Sequence, residues 1–486
     1  MKYIDSYSWL IPETIKIYNL RDEVAKITYP LTCELEVARD EEFKLVGKLT
    51  GTIPNLESIN ESKDGVPGTF IEGVRLRGTS EHKNDEYVIE GFYITGYEYK
   101  YTPDDMIIID AKAFMTSCKK TSVIYSPQAV TIKDWFITSK NSIFYPRASR
   151  KVVETIHRIE RDNKIAYEKL VRSSKTSRDY FELDFQGYKI LVHKIEKGLR
   201  PVWARKLCIE YTDPYFIKNS SLRGLISTII GYVLGGKLFK IGESEYDIEF
   251  YEVSTEYINL SNTHIRKMCS TQAMPPINLE NREQWLKVEE TINELLLNVI
   301  PLSSKMNFID IIDRYWIGKI LPIGTNLPIL SSALESMINS YLKAHDLQST
   351  SYMDKAEFHN LVREEIESIE AKLSTNSDSD IIIRKIRNSI FKGSNEKIAH
   401  FYSAIGLEIG EIEKKALKAR NRMAHSSVTS MNEDQIRETI RLSRAYETLF
   451  NRTLLKILGY DKAYIDYFSD GFPVRHLKSA IPKKEK

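Results

Sequence analysis

Lys418-Ala419-Arg420-Asn421-Arg422-Met423-Ala424-His425-Ser426-Ser427 stands where an amphipathic helical pattern gives way to a polar stretch. Working outward, the helix that carries this string is expected over about 410–423. Asn432 follows, with Gln435 three residues later, a capping-box pair that opens a longer helix. Gly459 is placed to end that helix as its C′ residue. Further upstream a helix opens near Pro328 with Asn326 as its cap, and Leu330, Leu334, Met337, Ile338 and Tyr341 share one face. Another is expected over 354–373, with a stripe of Phe358, Leu361, Val362, Ile366 and Ile369. The stretch 280–462 therefore reads as an α-helical bundle. Residues 463–486 read as a basic tail with Arg475, His476, Lys478, Lys483, Lys484 and Lys486.

The N-terminal half has a different period. Strand-like stretches cover 14–20, 31–37, 43–53, 87–101 and 106–115, and alternation is plain in Gly91-Phe92-Tyr93-Ile94-Thr95-Gly96-Tyr97-Glu98-Tyr99. Asp64-Gly65 and Pro103-Asp104-Asp105 are turn signals between some of them. Residues 1–124 read as an antiparallel sandwich or barrel. At 149–172 the spacing of Val152, Val153, Ile156, Ile159, Ile165 and Leu170 predicts a helix. Strands return at 180–195, 202–211 and 246–253 around an apolar helix at 222–234, so 125–270 reads as a mixed α+β unit, either separate or continuous with the first. The aperiodic Ser270-Thr271-Gln272-Ala273-Met274-Pro275-Pro276 is the main boundary. The expected fold class is multidomain α+β, with a β-rich N-terminal region followed by a C-terminal helical bundle.

A chain of 486 residues is too long for one ordinary domain. Apolar residues at 42% and charged residues at 28% are the balance of a globular protein, and the net charge of only +2 excludes a polycation. Any nucleic-acid site must arise from local clustering, as at 140–178, where eleven Lys/Arg face four Asp/Glu. Cys33, Cys118, Cys208 and Cys269 form no C-x-x-C pair and are expected as buried reduced thiols. The first residues have no signal-like apolar core, and the longest apolar run, 224–236, is too short to span a bilayer. The expectation is a soluble cytoplasmic protein with no membrane segment.

Arg420-Asn421-x-x-x-His425 has the residue types that metal-free RNA cleavage requires. The RNA 2′-OH can attack the adjacent phosphate if a group near neutral pH moves its proton, as His does. A fixed cation must hold the charge that builds on phosphorus, and the Arg fork matches phosphate oxygens. Asn can orient the His or donate to the phosphate. Spacing alone selects nothing, because Arg75 and Arg77 precede His82, and Arg150 precedes His157, at comparable distances. Arg387-Asn388 has no His at the required distance. Of the arginines with a His at that distance, only Arg420 combines the following Asn with a helical context. A basic residue near a helix C-terminus also suits the helix dipole without any catalytic role. No Asp/Glu/His cluster with ligand spacing accompanies the motif, so neither a metal nor another cofactor is expected.

In these residues the chain resembles the HEPN ribonucleases, and the pairing of β-rich and helical halves resembles the ApeA-type anti-phage proteins of that superfamily. The resemblance implies catalytic residues Arg420, Asn421 and His425, supported by an acid on an earlier helix, for which Glu335 is the candidate. It also implies a homodimer through the helical domain, since on one ideal helix Arg420 and His425 point about 140° apart. Lys414, Lys418 and Arg422 make the motif helix basic and are the expected RNA contacts. The implied function is abortive-infection defence. A metal-independent endoribonuclease cuts host RNA, foremost tRNA, in response to a phage-derived trigger. A toxin of a toxin–antitoxin pair and a non-catalytic HEPN scaffold are the alternatives.

Overall fold

The computed structural model describes residues 15–22, 33–40, 43–53, 74–81, 84–123, 131–139, 145–161, 164–195, 205–212, 216, 219–247, 252–260, 265–271, 274–279, 287–322, 325–347, 352–390, 393–424 and 432–483. The expected Asp64-Gly65 turn lies outside them. A β-rich N-terminal region is followed by a helical C-terminal region. The chain divides into two compact units, residues 1–275 with 279–296, and residues 276–278 with 297–486.

The first unit holds strands β1 (Ile15–Asp22), β2 (Glu34–Arg39), β3 (Leu45–Ile53), β4 (Val74–Thr79), β5 (Asp85–Tyr101), β6 (Ile107–Phe114) and β7 (Ser117–Val123). It continues with β8 (Ile132–Thr138), β9 (Arg147–Arg161), β10 (Lys164–Phe185), β11 (Tyr188–Lys194), β12 (Arg205–Tyr211), β13 (Phe239–Asp247) and β14 (Glu252–Ile258). All pair antiparallel in one sheet of order β4-β1-β2-β3-β6-β5-β7-β14-β13-β8-β12-β11-β10-β9. An additional β4–β5 pairing closes the first six strands into a ring. The long strand β5 makes this possible. Its first half pairs with β4 and β7, its second half with β6. The change of direction falls at Gly91, whose φ of +62° favours glycine, and whose Cβ would stand 2.6 Å from the Thr116 hydroxyl. Leu35, Leu49, Leu76, Ile89 and Phe92 fill the ring, each fully buried.

Past the ring the sheet is covered by α1 (Ser220–Leu234), capped by the Asn219 side chain and ended by left-handed Gly235. Buried Arg223 pins α1 to the sheet, reaching Asp134 on β8 at 3.1 Å and Glu243 on β13 at 2.7 Å. The expected helix at 149–172 is instead a β hairpin. Residues 148–161 and 164–178 pair along their whole length in β9 and β10. The apolar spacing there mimics a helical period, but Val152, Val153, Thr155, Ile156 and Ile159 are β-branched, which favours strand. α2 (Ile265–Ser270) and the start of α3 (Val288–Leu302) complete the unit, with Glu289 accepting from Arg147 at 2.7 Å and from the Glu182 N–H at 2.8 Å.

The second unit contains α4 (Phe308–Ile320), α5 (Asn326–Ala344), α6 (Lys355–Leu361), α7 (Arg363–Lys372), α8 (Ser379–Arg387), α9 (Ser394–Ala404), α10 (Glu411–Ala424) and α11 (Glu433–Ile457). α5 packs against α4, α9, α10 and α11. Asn326 is not the cap expected of it. It lies inside α5, and its buried side chain accepts from Ser443 of α11 at 3.2 Å. The stretch 354–373 is two helices broken at Val362, and only Ile366 of its apolar stripe is buried.

Residues 463–483 are folded rather than a tail. β15 (Ala463–Ile465) pairs with β16 (Val474–His476), and Tyr464 and Asp466 are fully buried. Asp466 accepts from Arg475 at 2.7 Å, so one cation of the expected basic patch serves the fold. The four cysteines are free and buried. Burial pushes the Cys118 and Cys269 thiols up to about 12, which leaves them unreactive at neutral pH. No helix among the described residues is long and apolar enough to cross a membrane.

Lys319 of α4 is buried beneath Tyr315, Trp316 and Tyr467, with Glu447 of α11 at 3.9 Å. Burial lowers its ammonium from 10.5 to about 8. Between those values the unfolded chain holds a proton that the folded chain does not, so stability rises with pH from about 8 to 10.5 and is level below. The gain is on the order of 3 kcal/mol. Lys319→Met is expected to raise the urea midpoint at pH 7 and to remove this rise, while Glu447 keeps Arg444 at 3.1 Å. Midpoints of parent and variant at pH 7 and 9.5 check it, and parallel pH profiles would refute it.

Candidate active site

α10 is the helix that carries the motif. It opens on a carboxylate that closes its own first turn, because Glu413 accepts from the Gly410 N–H at 2.6 Å. The same carboxylate pairs with Arg452 of α11, and both side chains are fully buried. Arg452 also donates to the Leu477 carbonyl at 2.9 Å and the Glu408 carbonyl at 3.1 Å, and lies 5.2 Å from the Tyr464 ring. Burial raises the Glu413 carboxyl even with Arg452 beside it. One guanidinium thus ties the start of α10 to α11 and to the folded C-terminal segment. Ala416 and Ala419 carry the buried face onward, and small residues there let neighbouring helices approach closely.

Arg420, Asn421 and Arg422 follow in the last turns of α10, which runs to Ala424. Their side chains lie outside the described residues, as does all of His425. The helix therefore includes Met423, where fraying would help Arg420 and His425 to converge. The arginine and asparagine are held on a helix packed against both α5 and α11. Glu335 is half-buried on α5, one of those two neighbours. α11 begins with the expected capping box, Asn432 accepting from the Gln435 N–H at 2.9 Å and Gln435 from the Asn432 N–H at 3.0 Å. Gly459, at φ +76°, follows its last turn as expected.

Of the expected RNA contacts, Lys414 and Lys418 are exposed on α10, with Lys414 3.4 Å from Glu411 of its own first turn. Lys415 pairs with Glu438 of α11, so it helps to join the two helices. The competing matches sit in other settings. Arg75 lies on β4, 2.9 Å from Glu90. His82 lies outside the described residues. Arg150 and His157 both lie on strand β9. Sequence reading missed the Glu413–Arg452 pair, for which an acidic residue three positions after Gly410 was the available signal.

By sequence the end of α10 is polar and basic, and α5, which packs against α10, carries the half-buried Glu335. Among the described residues no three His, Cys, Asp or Glu side chains gather as a metal site would require. No family model, curated protein or solved structure matches the chain.

Proposed function

We propose that the protein is a metal-independent HEPN-type endoribonuclease acting in bacterial anti-phage defence. The observation that carries the reading is the position of Arg420-Asn421 at the end of α10, a helix packed against α5 and α11 and anchored by the Glu413–Arg452 pair. Anchoring matters because a catalytic group works only when held close to its productive geometry. His425 takes the proton from a ribose 2′-OH as that oxygen bonds to phosphorus. The bond from phosphorus to the 5′ oxygen breaks, and that oxygen leaves with a proton. Arg420 holds the charge on the phosphorane oxygens and Asn421 orients the imidazole or the phosphate. Glu335 supports the motif from α5, and Lys414, Lys418 and Arg422 bind the RNA backbone. Two chains paired through their helical units bring two motifs to one cleft. tRNA is the proposed substrate, and a phage-derived signal the proposed trigger.

The purified protein is expected to cut tRNA in EDTA and leave 2′,3′-cyclic phosphate and 5′-hydroxyl ends, read by end-labelling with and without phosphatase. Cleavage that vanishes on chelation and returns with magnesium, on a substrate that stays folded, would overturn the mechanism.

A further inference from the structure

β9 ends the sheet, and beyond the Arg147–Tyr180 pair it and β10 pair only with each other among the described residues. Residues 148–161 and 164–178 are therefore a two-stranded ribbon, and every residue from 170 to 178 is exposed. A ribbon whose described side chains, at 148, 150 and 170–178, are all exposed contributes little to a core there, and two strands alone are marginal in water. Its composition is one-sided. Residues 148–178 hold nine Lys/Arg against four Asp/Glu, an excess larger than the net charge of +2 on the whole chain.

The register separates two faces. On one, opposite charges share positions, Glu154 with Arg172 and Arg158 with Glu168. On the other, Lys151 shares a position with Lys175 and His157 with Lys169. From the Ser149–Ser177 pair to the Ile159–Tyr167 pair that second face has no Asp or Glu. Lysine opposite lysine weakens a ribbon in isolation. A polyanion along that face reverses the sign of the interaction. The lysine positions are six residues apart, about 20 Å of strand, a span that covers several phosphates. By register Tyr167 falls on the same face, beyond the His157–Lys169 pair, and is an aromatic residue type on which a base can stack.

We propose that this ribbon is an RNA-binding arm that grips the phosphodiester backbone through the face bearing Lys151, Lys169 and Lys175. The choice of RNA over DNA rests on the ribonuclease reading. The charge argument for a nucleic-acid backbone does not.

The test uses the full chain carrying His425→Ala, so that binding is read without cleavage. Anisotropy of labelled tRNA and of a labelled DNA duplex is followed from 50 to 200 mM KCl. Lys151→Thr, Lys169→Thr and Lys175→Thr combined are expected to weaken tRNA binding at least ~10-fold and to lower the salt slope by about 2, as three phosphate contacts are lost. A second variant replaces residues 151–175 with Asn-Gly, joining Arg150 to its register partner Thr176 through a two-residue turn, and is expected to lose at least as much. Unchanged tRNA affinity and salt slope in either variant, with the far-ultraviolet spectrum of a folded chain, would overturn the proposal. DNA bound as tightly as tRNA, with the same loss, would overturn the assignment to RNA. Cleavage is scored separately on the chain with His425 intact. Ribbon-dependent binding without cleavage would sink the ribonuclease reading and leave the arm standing.

Discussion

His425→Ala is expected to abolish RNA cleavage and cellular toxicity while leaving the fold intact. Removing a general acid–base group costs on the order of 100-fold to 10,000-fold in rate. His425 follows directly after Ala424, the last residue of α10. The rate constant is read from single-turnover cleavage, and the fold from the urea midpoint. His82→Ala, at a competing match in the β-rich unit, is expected to cleave like the parent. Equal cleavage by the parent and His425→Ala would dismiss the site. If two chains share one cleft, mixing inactive Arg420→Ala with inactive His425→Ala is expected to restore part of the activity, since the mixed dimer retains one intact copy of each group. Two inactive chains that stay inactive after subunit exchange would count against a shared centre.

The second large effect is on stability. Arg452→Ala leaves the buried Glu413 carboxyl without its counter-charge, holding only the Gly410 N–H, and strips donors from the carbonyls of Glu408 and Leu477. Breaking one side of such a pair costs on the order of 3–5 kcal/mol. Against a typical domain stability of about 5–15 kcal/mol, that is enough to unfold much of the helical unit at 37 °C. Glu413→Gln is expected to lose less, since its amide oxygen still accepts from Arg452 and its side chain still fills the same space. Denaturant unfolding of the three proteins ranks them. A midpoint for Arg452→Ala within error of the parent would mean that water reaches the site. Arg452 is also expected to affect cleavage without touching RNA, because it fixes the start of the helix that bears Arg420 and Asn421.

Much of the helical half is legible from local chemistry. The Asn432–Gln435 box, Gly459 and the course of α10 through Arg420 all depend on residues within a few positions of one another, so their sequence signals are complete in themselves. The same holds for the alternation along β5 and the turn that follows it. Asn326 shows the limit of that reading. It is a capping residue by type, but a hydroxyl more than a hundred positions away claims its oxygen.

What the sequence by itself determined, then, is the order of a β-rich and a helical half, the ends of the best-capped helices, and the one Arg-Asn-x-x-x-His string with a helical context. Tertiary structure decided the rest. It closes β1–β6 into a ring through the two halves of β5. It turns 149–172 into a ribbon, where pairing between strands outweighs a helical spacing made mostly of β-branched residues. It folds 463–483 onto α11, because buried Arg452 needs the Leu477 carbonyl and buried Asp466 needs Arg475. These outcomes share one physical cause. A backbone edge, a buried charge or an apolar face must find a partner, and when that partner lies far along the chain, no local pattern names it.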